Sequence, residues 1–157
     1  MNDEQKFMEE AIRLSIENVT SGKGGPFGAV VVKNGQIVGR GANKVTSAND
    51  PTAHAEVVAI RDACQTLQSF QLDGCELYTS CEPCPMCLGA IYWARPKKTY
   101  YGNTKEDAAA IGFDDQFIYE ELNQEKPKRD IPMIQMMREE SQAAFRVWKE
   151  KTDKIEY

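Results

Sequence analysis

From Glu4 to Val19 the positions Phe7, Met8, Ala11, Ile12, Leu14, Ser15 and Val19 recur at helical spacing, and Gly22, Gly24 and Gly25 punctuate the end of that run. The pattern then changes period. Phe27-Gly-Ala-Val-Val-Val-Lys33 and Gln36-Ile-Val-Gly-Arg-Gly-Ala42 are β-prone runs separated only by Asn34-Gly35. Both central residues of a tight hairpin turn need positive φ, which Asn and Gly tolerate, so these runs predict two antiparallel strands. A polar stretch, Asn43 to Asp50, leads into a predicted helix from Pro51 to about Leu67, with Pro51 suited to a first helical turn. Cys75 to Ser80 reads as a strand, and Cys84 to Ala94 as a helix stopped by Arg95-Pro96.

Further on, Lys97 to Tyr101 predicts another strand, and Lys105 to Ile111 and Asp115 to Leu122 predict short helices. Lys126 to Asp130 reads as a charged hinge loop, Ile131 to Met137 as a last strand, and Glu139 to Lys151 as a last helix. A helix, a hairpin, then alternating helices and strands predict a layered α/β sandwich with a mixed sheet. With 157 residues and no internal repeat, the chain is expected to form a single domain, 1–157.

Composition narrows the function. At 41% hydrophobic and 27% charged residues, the chain can bury a core. Its 24 acidic residues exceed its 19 basic ones, for a net charge of −5. Nucleic-acid binding is driven by Lys and Arg displacing counterions, so this balance argues against a nucleic-acid partner. The N-terminus is charged from its third residue, and no apolar run approaches spanning length, so neither a signal peptide nor a membrane partner is expected. Five cysteines are an odd number for a disulfide framework, and Cys81, Cys84 and Cys87 crowd into seven positions. That usage fits metal binding in a reducing compartment, hence a cytoplasmic location.

Two segments carry chemistry: Pro51-Thr-Ala-His54-Ala-Glu56 and Ser80-Cys81-Glu-Pro-Cys84-Pro-Met-Cys87. Two cysteines separated by two residues can present both sulfurs to one side of a turn, and the imidazole of His54 would complete a three-donor set with an open fourth position for water. Zinc suits such nitrogen and sulfur donors better than harder ions do. Both segments fall at predicted helix starts, where unpaired N–H groups and the helix dipole favour thiolates. A zinc-activated water needs a carboxylate to take and pass on its proton, and Glu56 offers one. Residues i and i+2 of a helix do not share a face, so Glu56 is read as standing beside the water and not as a fourth ligand. Three other readings stay open on spacing alone: a structural role for the lone histidine, a redox pair at Cys84 and Cys87, and a closed Cys3His site that recruits Cys81.

The H-x-E and P-C-x-x-C pattern resembles that of the zinc nucleobase deaminases, with a 29-residue gap between His54 and Cys84 that holds one helix and one strand. This resemblance covers nearly the whole chain. It implies the cytidine deaminase-like fold (an α/β/α three-layer sandwich around a five-stranded mixed sheet), ligands His54, Cys84 and Cys87 to one zinc ion, and a proton shuttle at Glu56. Gly24-Gly-Pro-Phe-Gly-Ala29, Asn49-Asp-Pro-Thr-Ala-His-Ala-Glu56, Thr79 to Pro96, Gly112-Phe-Asp-Asp115 and the terminal Tyr157 are similar to the small bacterial guanine deaminases.

That likeness implies hydrolysis of guanine, a small-molecule purine base, to xanthine and ammonia. Glu56 would protonate ring N3 and then the departing amine. Asn43, Asp115 and Tyr157 are implied as substrate contacts, and Phe27, Trp93 and Phe113 are candidate planar surfaces, although aromatics are more often core than pocket. A homodimer is expected, with 131–157 a candidate for exchange between protomers. The rival functions are deamination of cytosine or of adenosine in tRNA, and a zinc-stabilised binding module without catalysis.

Overall fold

A computed structural model of the chain describes residues 1–157. Two compact units make it up, Met1–Asp115 and Gln116–Tyr157. The first begins with α1 (Asp3–Thr20), whose N-cap Asn2 accepts from the Gln5 N–H while the Gln5 side chain reaches back to the Asn2 N–H. Ala11, Ser15 and Asn18, spaced four and three apart, are its buried stripe. Then come β1 (Gly28–Lys33) and β2 (Gln36–Ala42), paired antiparallel through a turn in which Asn34 and Gly35 have φ of 50° and 75°. The hairpin signal is accurate to the residue.

The short α2 (Val45–Ala48) occupies what the sequence suggests is loop, and α3 (Ala55–Leu67) comes next. It starts four residues later than Pro51. The cause is Asp50, whose carboxylate accepts from both the backbone N–H and the hydroxyl of Thr52, while its carbonyl accepts from the Ala53 N–H. Pro51 therefore sits in a turn, and His54 becomes the helix N-cap.

β3 (Cys75–Cys81) lies antiparallel beside β1, α4 (Pro85–Ala94) comes after it, and β4 (Lys98–Asn103) returns parallel to β3. Arg95, at φ 61°, stops α4 one residue before Pro96. The unit ends with α5 (Lys105–Ala110), boxed at its start by Thr104 and Asp107. The sheet is mixed, in the order β2-β1-β3-β4. One face packs Ala29, Val31, Leu77 and Cys75 against Ala55, Ala59 and Ala63 of α3 and Ile91 and Ala94 of α4. The other packs Val30, Val32 and Tyr78 against Phe7, Met8 and Leu14 of α1, with Tyr78 stacked on Tyr100 at 4.6 Å. This is the three-layer α/β/α sandwich.

The sheet has four strands, not the expected five. Ile131 to Met137 forms no strand. A strand exists only through its ladder, Pro132 offers that ladder no N–H, and Met137 turns the chain at φ 52°. Lys126 to Lys128, expected as a hinge loop, is a 3-10 turn that Glu125 and Lys128 pin by an ion pair of 2.9 Å. The second unit otherwise consists of α6 (Gln116–Leu122) and α7 (Arg138–Glu150), and neither helix contains a buried residue.

Close packing of β2 on α3 fixes where α3 begins. A Cβ on Gly41 would overlap the carbonyl oxygen of Ala55 and lie 2.5 Å from the N of Ala59, both main-chain atoms that cannot swing away. Gly41→Ala is therefore expected to destabilise the protein by about 2–3 kcal/mol and to lower its metal content by displacing the start of α3. Urea unfolding and zinc analysis check this; a wild-type midpoint would show that no such contact exists.

Candidate active site

His54 and Cys84 are both N-cap residues, on α3 and α4, and both have extended backbones, with φ and ψ of −69° and 156° and of −67° and 169°. Their carbonyls already accept the first helical bonds, from Val58 and Leu88 at 2.9 and 2.8 Å. Their side chains are thus turned off the helix ends toward each other. Nδ1 of His54 lies 3.5 Å from Sγ of Cys84 and 3.4 Å from Sγ of Cys87, one turn into α4. The three donor atoms fall within 4.8 Å of one another. A tetrahedral zinc with ordinary Zn–S and Zn–N bonds separates such nitrogen and sulfur ligands by roughly 3.6 Å, so the donor set fits the metal.

Electrostatics favours the same outcome. The Cys84 thiol is drawn down to about 4, first by the hydrogen bond from Cys87, against burial, with His54 and the Cys87 N–H helping. That N–H stands 3.5 Å from the Cys84 sulfur, at the electropositive end of α4. The same interaction holds the Cys87 proton in place, so the pair carries one thiolate, on Cys84. His54 is raised by its bond to Cys84.

Cys81 behaves oppositely. Burial pushes its thiol up to about 11, its Sγ is 3.8 Å from the Thr104 carbonyl, and it is not among the converging donors. The closed Cys3His arrangement is not what this fold builds. Cys64 and Cys75 are free thiols packed in or against the core.

Glu56, at 5% exposure, stands beside the donors. Its Oε2 accepts from Cys87 Sγ at 3.3 Å and its Oε1 from the Thr79 hydroxyl at 2.9 Å. Burial raises its pKa, against its own backbone N–H and Thr79.

Asn43 is buried; its N–H donates to the Phe27 carbonyl, and the neighbouring Lys44 N–H donates to Ala53, beside His54. Its Oδ1 accepts from Val45, which leaves the amide hydrogens for a further partner. Phe27 meets the edge of Phe113 at 5.0 Å. Asp115 is half-buried, and burial raises its carboxyl, with the Cys84 charge adding to the effect.

Trp93 does not join this cluster. Nine residues beyond Cys84 along α4, it stands about 13 Å down the helix axis and is 63% exposed. Tyr157 belongs to the second unit and is exposed. Two residues that spacing does not single out also belong here: Thr79, and Asn18, whose Nδ2 bridges the Gly25 and Asn43 carbonyls at 2.8 and 2.9 Å.

Fold and site together define a zinc-dependent deaminase. Residues 1–103 match the cytidine and deoxycytidylate deaminase zinc-binding region, and the chain belongs to that family. Along its full length it is 55% identical to the guanine deaminase of Bacillus subtilis, covering all of both chains. The X-ray structure of that enzyme superposes with a TM-score of 0.96 over 100% of this chain and 99% of that one, at 54% identity. A guanine deaminase from Nitrosomonas europaea is 35% identical, with a TM-score of 0.66 over 69% of this chain and 63% of its own. The tRNA-specific adenosine deaminase of Agrobacterium fabrum is 43% identical over 86 residues, which are 55% of this chain and 57% of its own.

Three ligands and an excluded Cys81 give a direct test. Cys84→Ser and His54→Ala are expected to lose most bound zinc, whereas Cys81→Ser should keep one ion per chain by atomic absorption. Equal loss from all three would restore the closed site.

Proposed function

We propose that the chain hydrolyses guanine to xanthine and ammonia at a zinc centre held by His54, Cys84 and Cys87. The observation that carries this reading is the full-length likeness to the Bacillus subtilis guanine deaminase, which extends through residues 104–157, beyond the family match. The Agrobacterium tRNA deaminase shares only about half of the chain, and a net charge of −5 suits a free base better than a polyanion.

Held by His54, Cys84 and Cys87, zinc would supply the Lewis acidity that makes a water a nucleophile near neutral pH. Glu56 takes the proton released there, delivers it to ring N3 as C2 is attacked, and then carries a proton to the amine that leaves. A carboxylate whose pKa is raised by burial suits both halves of that relay. Asn43 offers amide hydrogens to acceptors on the base, and Asp115 accepts from its N–H groups. Phe27, braced by Phe113, offers a flat surface.

The reading extends to assembly. The protein acts as a cytoplasmic homodimer of one-domain subunits in which 131–157 exchanges between protomers and brings Tyr157 over the base as a lid. Support comes from the second unit, where Ile134, Met136, Phe145 and Val147 are each about 70% exposed on an otherwise charged, amphipathic segment. Free thiols fit a reducing compartment, and no helix is long and apolar enough to cross a membrane.

Ammonia release measured across guanine, cytosine, adenine and their nucleosides is expected to single out guanine; preference for another base overturns the substrate. In that assay Glu56→Gln should keep its zinc and lose nearly all turnover. Asp115→Ala should lower kcat/KM by at least about 10-fold with little change in melting temperature. Removing Ile155 to Tyr157 should impair turnover while zinc content stays at the wild-type level. Unchanged kcat and KM in the truncated chain, or a monomer by light scattering, would sink the lid and the exchange respectively.

A further inference from the structure

We infer that Thr79 is a positioning residue for the proton carrier: its hydroxyl fixes one oxygen of Glu56 so that the other is left to the reacting water. The inference rests on the role proposed for Glu56. Thr79 sits on the central strand β3, 1% exposed, paired with Ala29 on one side and Tyr101 on the other. Side chains alternate along a strand, so Thr79 faces the same way as Cys75 and Leu77, which pack in the layer under α3 and α4. Glu56 enters that layer from the first turn of α3.

The Thr79 Oγ1 lies 2.9 Å from Glu56 Oε1 and 3.1 Å from the Cys81 carbonyl. A hydroxyl has one hydrogen to donate, and the Glu56 oxygen is the nearer of its two acceptors, so it goes to Glu56. Two side chains thus touch the carboxylate, one on each oxygen. The Thr79 contact is the shorter of the two and comes from a side chain buried on a paired strand, so it sets the orientation of Oε1. Oε2 is left on the side of the Cys87 sulfur, toward the metal donors. A β-branched neighbour in a filled layer is also a rigid anchor, because χ1 of Thr has few alternatives in a strand.

Thr79→Val removes the hydroxyl while preserving shape and strand propensity, and Thr79→Ser keeps the hydroxyl and removes a methyl. We expect Thr79→Val to lower kcat about 10- to 100-fold, with KM and zinc content near wild type, and Thr79→Ser to recover most of that loss. In the Glu56→Gln background, Thr79→Val should cost little more, because the two act through one group. A crystal structure of zinc-loaded Thr79→Val should show the Glu56 carboxylate rotated from its wild-type orientation. The inference is overturned if Thr79→Val keeps its kcat, if its loss is matched by lost zinc or melting temperature, or if Ser fails to restore what Val removes. Full turnover by Glu56→Gln would instead overturn the proton relay itself, whatever Thr79 does.

Discussion

Two helices of this protein begin facing each other, and the rest of the first unit is arranged around that meeting. A helix N-terminus leaves several N–H groups without partners, and two such ends brought together need something negative between them. Here it is supplied by sulfur. Cys84 caps α4 with its own side chain accepting from the Cys87 N–H, and His54 caps α3 with its ring turned toward the same point. An N-cap is the one helical position whose backbone is still extended, so both side chains can leave the helix axis and cross the gap. Moving either ligand one residue into its helix would turn it by about 100° and break the convergence. That is why the close seat of α3 on Gly39 and Gly41 matters, and why β3 must deliver α4 in fixed register.

The same cysteine side chain appears in opposite states within three residues of chain. Cys84, at a helix start, has an N–H to stabilise its thiolate. Cys81, at the end of a strand, is pushed up first by burial and then by the carboxylates around it, with only the Thr104 carbonyl at 3.8 Å from its sulfur. Residue type therefore does not decide which cysteines bind metal. The local supply of donors does. Glu56 is tuned by the reverse imbalance: burial raises its carboxyl above the ordinary carboxylate range, and its hydrogen bonds offset only part of that penalty.

Features fixed by neighbours along the chain are legible in its sequence. The Asn34-Gly35 hairpin, the span of α1, the stop at Arg95-Pro96 and the Cys84-x-x-Cys87 pair all rest on spacings of a few residues, while His54 joins that pair across a 29-residue gap. Failures come where a distant or side-chain contact decides. Pro51 reads as a helix start because its backbone chemistry permits one, but the Asp50 carboxylate holds Thr52 in a turn and postpones the helix to Ala55. Ile131 to Met137 has strand-like residues but no pairing. Thr79 is invisible for another reason. Strand parity has meaning only once it is known that β3 is central and which layer α3 occupies.

What separates guanine from other bases has to lie outside the metal centre, because residues 1–103 match a family whose members include deaminases of different bases. On the proposed reading, Asp115 is the discriminating group, and its environment explains how. Burial and the nearby Cys84 thiolate both oppose its ionisation. A ligand that brings N–H donors repays that opposition, and guanine carries such donors at N1 and on its exocyclic amine. Adenine presents a bare acceptor at N1. Against a carboxylate it would leave two lone pairs facing each other. An unpaired buried polar group costs about 1–3 kcal/mol, and more when it is charged, so rejection of the wrong base is built from what Asp115 would lose and not only from what it gains with the right one.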